Sequence, residues 1–376
     1  IDSERKLFME KQRNYGIDLL KIIAMLMIVI IHTQGHGGIL FSGILPYTQE
    51  TFFYSNYAAS LLIESFIFPA VNCYALITGY VNWNRKIRYY KLAIFWIQIL
   101  FYMISIASIY SIVEDSFDQT IWFNAFFPIM SYQYWYMTAY VGVFLLMPIL
   151  NAYIQNTEKK ALLWHLLLLF IFMSVLPLFF SHQGDPFIFN SGYSTFWLVL
   201  MYLAGGVISK CDLGLYISKA QSFIYYIFIT VFSWGYKIII DYLNTFAQAN
   251  ITVLNIFDYR TPTCILSAIF LLFLFKKINV NKFIVQRIIS LLSSTTLGVY
   301  LIHEHPIVRY NIIRDYARDF VNFPTYKMVM YILLGSITIY ITCTVIDFFR
   351  LQLFRFIKIE KSLKTIELKL SSLFLR

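Results

Sequence analysis

Tyr15-Gly16-Ile17-Asp18-Leu19-Leu20-Lys21 runs directly into an unbroken apolar segment, Ile22 to Ile31, which ends at His32. An α-helix of about 20 apolar residues is what crosses a hydrocarbon core about 30 Å thick. Two ionisable side chains stand within this one. Such groups are costly inside a bilayer and are read first as functional. Lys21 and His32 are eleven residues apart, a rise of about 16 Å and close to three full turns. They share a face, with Lys21 near one membrane surface and His32 deep or toward the other. That layout suits a charged group held at one end and proton chemistry at the other. The structural alternative pairs Asp18 with Lys21 at i,i+3 and gives His32 a hydrogen bond to a neighbouring helix.

The apolar pattern recurs along the chain. Spans are expected at about 16–33, 57–81, 90–113, 135–153, 161–180, 193–209, 220–241, 262–276, 284–303 and 326–349, the second carrying Pro69, Asn72 and Gly79. Hydrophobic residues make up 59% of the 376 positions, charged residues 13%, and mean hydropathy is +0.65. This describes an all-α, polytopic integral membrane bundle of about ten transmembrane helices rather than a soluble domain. No linker, low-complexity tract or internal repeat divides it, so residues 1–350 form one bundle. In the tail, 351–376, Leu363, Ile366, Leu370 and Leu373 recur at helical spacing among Lys358, Lys361, Lys364 and Lys369. It reads as a basic amphipathic helix on the inner leaflet, in contact with membrane lipids. The charged first residues lead into a span expected to stay as an anchor, and the Gly- and aromatic-rich loop 34–56 is placed at the bundle mouth.

The net charge of +10 orients the protein and does not mark a nucleic-acid binder. Arg5, Lys6, Lys11 and Arg13 precede the first span, and Arg85, Lys86, Arg88 and Lys91 follow the second. Later basic groups, Lys159 with Lys160, Lys210 with Lys219, and Lys276, Lys277, Lys282 with Arg287, fall on the same side, as do the lysines and arginines of the tail. The first three loops of the other side have no Lys or Arg. Both termini are therefore expected in the cytoplasm. The last loop, about 304–325, breaks this rule with Arg309, Arg314 and Arg318, beside Asp315 and Asp319. Two readings stay open there, an anionic or sugar-phosphate ligand and a solvated helix with internal pairs such as Asp315–Arg318. Cys73, Cys211, Cys264 and Cys343 show neither disulfide nor zinc spacing.

Asp18-Leu19-Leu20-Lys21, Ala24 and His32 resemble the opening signature of the acyltransferase family 3 membrane proteins, a basic residue followed after ten positions by His. The family usually has Arg where this chain has Lys21, a cation without the bidentate fork. The resemblance extends through Phe66-Ile67-Phe68-Pro69-Ala70 to Thr78-Gly79, where the family commonly has Ser-Gly. It continues in Arg85-Lys86-Ile87-Arg88, similar to an Arg-x-x-Arg motif, in Tyr134-Trp135-Tyr136 with Leu146-Met147-Pro148, and in Gly298-Val299-Tyr300-Leu301-Ile302-His303. Their order and spacing, more than any one motif, carry it.

The resemblance implies a multi-pass O-acyltransferase of the bacterial plasma membrane. It would move an acyl group, acetyl first among candidates, from cytoplasmic acyl-CoA to a hydroxyl of a cell-surface glycan or glycolipid. Lys21, Arg85 and Arg88 then face the phosphates of acetyl-CoA, although Arg85 and Arg88 serve equally as topology determinants. His32 is the catalytic residue, either as base toward the acceptor hydroxyl or as carrier of the acyl group. His303, Glu304, Tyr136 and Arg309 are expected on the acceptor side, with Glu304 or Asp185 fixing the His32 tautomer. The i,i+2 spacing of His303 and His305 splays their side chains apart, so no metal is expected. Tyr132, Tyr134, Trp135 and Tyr193 are candidates to stack on sugar rings. The alternatives are an exporter of lipid-linked sugars or a small solute, and a scaffold for a polysaccharide synthase.

Overall fold

A computed structural model describes residues 13–40, 55–180, 184–185, 187–249, 251 and 257–374. Arg5, Lys6, Lys11 and positions 41–54 of the first long loop lie outside the described residues. Every described element is helical: α1 (Tyr15–Gln34), α2 (Ser55–Ile67), α3 (Ala70–Asn82), α4 (Tyr90–Val113), α5 (Gln119–Phe126), α6 (Trp135–Asn156), α7 (Lys159–Phe179), α8 (Thr195–Lys210), α9 (Lys219–Phe246), α10 (Pro262–Phe275), α11 (Phe283–His303), α12 (Thr325–Phe356) and α13 (Ile359–Phe374). Among the described residues, eight helical segments, Ser55–Asn82 counted as one, are long and apolar enough to cross a membrane, and α8 and α10 are shorter apolar helices. These ten segments fall where spans are expected, eight of them with the length to cross. The last runs on to Phe356, past its expected end at 349.

Local chemistry explains the ends and the breaks. The Asn14 side chain accepts from Ile17 N at 3.1 Å and caps α1. Thr261 caps α10, whose first residue, Pro262, has no N–H to leave unsatisfied. The second span is broken because Pro69 cannot donate to the helix ladder, so α2 ends at Ile67 and α3 restarts at Ala70.

α1 is the hub, packed against α2, α3, α10, α11 and α12, with Leu20 and Ala24 fully buried. α3 and α8 cross with their backbones almost touching. A Cβ on Gly79 would stand 1.9 Å from the Tyr202 carbonyl oxygen, and one on Gly205 2.1 Å from that of Leu76. Small residues permit this approach, which suits a setting where helices associate by packing. α4 is tied to α12 through a hydrogen bond to a buried ion pair within α12. Arg350 bonds both carboxylate oxygens of Asp347 at 2.8 Å, and Tyr102 of α4 donates to Asp347 at 2.7 Å.

At the face where α1 begins, Asn14 Nδ2 donates to the Lys276 carbonyl at 2.9 Å and Lys210 Nζ to that of Thr157 at 2.6 Å. The tail helix docks here. Glu367 accepts from Tyr89 N at 2.6 Å and Tyr90 N at 3.4 Å, at the start of α4, while Ile366, Leu368, Leu370 and Leu373 remain exposed. At the opposite face, Asn56 of α2 donates to the Val321 and Phe323 carbonyls, both at 2.9 Å.

Candidate active site

The shared face of Lys21 and His32 opens onto one cavity of about 690 Å³ that both side chains line. At the Lys21 end, the carboxylate of Asp18 is buried and accepts from Arg13 Nε at 2.5 Å, Lys21 Nζ at 3.2 Å and Ser293 Oγ of α11 at 3.2 Å. The expected Asp18–Lys21 pair thus forms, and Lys21 still reaches the cavity. Arg85 and Lys91 line the same end, whereas Arg88 is exposed on the intervening loop and does not line it. The walls are aromatic, with Tyr74, Tyr136, Tyr140, Trp135, Tyr193 and Tyr259 among them.

At the far end, His32 meets the C-terminus of α11. Its Nδ1 lies 2.9 Å from His303 Nε2 and 3.1 Å from Glu304 Oε1. His303 Nδ1 lies 2.5 Å from the Val299 carbonyl oxygen, which accepts only, so the His303 proton sits on Nδ1 and its Nε2 presents a lone pair. That lone pair accepts from His32 Nδ1–H. His32 Nε2 is then the nitrogen with a free lone pair, on a ring that lines the cavity. Glu304 completes the cluster: Oε1 is 3.3 Å from His36 Nε2 and Oε2 is 3.3 Å from Arg309 NH1. The Oε1 contacts are close approaches off the hydrogen-bond direction, since Oε1 has no aligned donor among the described residues. Burial pushes the Glu304 pKa up, proximity to His32, His36 and His303 more than reverses this, and the net displacement is downward; the Arg309 guanidinium favours the carboxylate form as well.

His32, His303 and Glu304 also offer three potential metal-ligand atoms within 4.8 Å of one another, a convergence of α1 with the end of α11 that the spacing within either segment does not encode. The geometry is that of a hydrogen bond, however. The His32 and His303 nitrogens stand 2.9 Å apart, a hydrogen-bond separation.

Several expected roles are corrected. Asp185 does not reach His32; it pairs with Arg260 NH1 at 2.9 Å and accepts from Asn190 N at 2.7 Å. Tyr134 is buried and donates to the Leu301 carbonyl at 2.8 Å, as a packing residue. His305 turns away from the cavity, where its Nδ1 accepts from Ile307 N at 3.2 Å, and burial pushes it down to about 4. Asp315 approaches Arg314, not Arg318, at 3.6 Å. Of the residues expected on the acceptor side, Tyr136, Glu304 and Arg309 line the cavity and His303 does not.

Three lining residues carry no site role in the sequence reading. Lys91 counts in sequence only as a topology charge. His36 is delivered by the turn after α1, where Gly38 adopts φ +92°, a conformation open to glycine. Tyr300 is buried, lines the cavity, and its hydroxyl has no hydrogen-bond partner among the described residues.

No curated protein and no solved structure matches the chain. A family model described as an acyltransferase domain, acyltransferase 3, matches residues 14–348, a stretch that holds both ends of the cavity. With nearly its whole length matched, all helical and rich in candidate membrane spans, the chain belongs to the acyltransferase 3 family of membrane acyltransferases.

Proposed function

We propose that the protein transfers an acyl group, acetyl first, from cytoplasmic acyl-CoA to a hydroxyl of a cell-surface glycan or glycolipid, across the plasma membrane of a bacterium. The observation that carries this reading is the single cavity with cations at one end and the His32–His303–Glu304 cluster at the other. The face where α1 begins is taken as cytoplasmic on the distribution of Lys and Arg. Acyl-CoA enters there, with its phosphates near Lys21, Arg85 and Lys91 and its thioester carried along the aromatic walls toward His32.

His32 Nε2 accepts the acceptor hydroxyl proton as the oxygen bonds to the thioester carbonyl carbon. The carbon–sulfur bond then breaks, and the proton on Nε2 passes to the departing CoA sulfur. His303 holds the ring through Nδ1, and Glu304 stabilises the imidazolium that forms in between. No metal is assigned to the reaction. The exporter and scaffold alternatives have no comparable support from the family match.

The test is mass spectrometry of base-labile esters on envelope glycans from wild type, a deletion strain and His32→Ala expressed at normal level. Loss of one ester in both mutants supports the proposal and identifies acceptor and acyl group together. Unchanged esters in all three refute it for those glycans.

A further inference from the structure

A second cavity, of about 360 Å³, begins where the first ends. Its lining shares Gly35, His36 and Arg309 with the catalytic cavity and adds Arg314, Asp315 and Arg318. Backbone hydrogen bonds fix its walls against each other: Asp315 N donates to the His36 carbonyl at 2.9 Å and Ala317 N to that of Gly37 at 3.0 Å. The approach is close enough that a Cβ on Gly38 would stand 2.7 Å from Asp315 Oδ1.

Three guanidinium groups face one carboxylate in this lining. Arg309 is partly committed to Glu304 at 3.3 Å. Arg314 and Asp315 are 3.6 Å apart with side chains 65% and 46% exposed, a pair worth little. Arg318 has no carboxylate partner among the described residues, because the Asp315–Arg318 pair of a solvated helix does not form. The cavity thus has unspent positive charge, on the face whose first three loops carry no Lys or Arg. Guanidinium forks match phosphoryl oxygens in geometry as well as charge.

We propose that this cavity binds a phosphoryl group of the acceptor, so that the substrate is a phosphorylated glycan whose hydroxyl reaches His32 past His36. The inference rests on the acyl-transfer reading above. The phosphoryl group is either part of the glycan's repeating unit or the pyrophosphate that joins it to a lipid carrier. Arg314 and Arg318 hold it, and Arg309 stands between it and the catalytic cluster.

The test compares base-labile esters and phosphate content of envelope glycans in wild type, the deletion strain, Arg314→Ala/Arg318→Ala and Arg314→Lys/Arg318→Lys, at equal protein level. The glycan that loses its ester on deletion is expected to carry phosphate in or next to the esterified unit. Removing both charge-assisted contacts is expected to lower the ester about tenfold, with partial recovery in the lysine pair. Whether the ester first arises on released polymer or on the lipid-linked intermediate separates the two phosphate sources. An esterified glycan free of phosphate overturns the proposal, even where the alanine pair fails to accumulate. Wild-type ester content in that pair also overturns it, and in both cases acyl transfer still stands. Unchanged esters in the deletion strain instead remove the acyl-transfer reading itself.

Discussion

Glu304 sits between His32 and Arg309, and its charge decides what the imidazole can do. A carboxylate beside Nδ1 favours the imidazolium that forms when Nε2 takes a proton, and Arg309 keeps that carboxylate in place. Glu304→Gln keeps the shape and removes the charge. Its expected effect is a fall in kcat of about a hundredfold with the KM for acetyl-CoA little changed, read by CoA release from purified protein. In the proposed mechanism Lys21 acts at the other end and on the other constant. Lys21→Met is expected to raise the KM for acetyl-CoA about tenfold with a small effect on kcat, and Lys21→Arg to restore binding. Equal effects on KM and kcat at both residues would contradict the division of labour between the two ends.

At the scale of elements, Gly79 and Gly205 set the spacing of α3 and α8, and α3 carries the cavity-lining Tyr74 and Thr78. Gly79→Ala drives a Cβ into backbone at 1.9 Å, which no side-chain rotation relieves. A loss of about 2–4 kcal/mol is expected, seen as a lowered melting temperature in detergent. Gly235→Ala on α9 is the control, with nothing within 4 Å of the added Cβ, and is expected to be neutral or slightly stabilising. Much at this scale is legible in the sequence. Length and hydropathy locate the helices because a bilayer imposes both, and Pro69 announces its own break. Periodicity also places Lys21 and His32 on one face. It cannot show that His32 meets His303, 271 positions away, or that Asp347 and Arg350 neutralise each other inside α12, because inter-helix contacts depend on rotation and tilt. For the same reason the Asp185 assignment fails: its partner, Arg260, lies on a loop whose position no helical pattern encodes.

For the molecule as a whole, the two ends of the cavity are fixed by different parts of the chain. The His32 end is closed by the segment after α11, and the Lys21 end borders the loop between α3 and α4, which the tail helix braces. Glu367 accepts the N–H groups of Tyr89 and Tyr90 at 2.6 and 3.4 Å, as a negative group at a helix start does. Glu367→Ala is expected to cost about 1 kcal/mol of stability and to raise the KM for acetyl-CoA by loosening the Arg85–Lys91 loop, without changing kcat. A shift in kcat alone would contradict that role. The tail's amphipathic pattern is evident in sequence. Its docking is not, because one half-buried carboxylate among exposed lysines has no signature of its own.

The central claim is that His32 performs the acyl transfer at the meeting point of the two ends. Its most direct measurement uses membrane vesicles from the host, supplied with acyl-labelled acetyl-CoA and carrying their own acceptor. Wild-type vesicles are predicted to move label into a base-labile ester, and His32→Ala vesicles with equal protein to do so about 10²–10⁴-fold more slowly. Label transferred at the wild-type rate by His32→Ala would contradict the account.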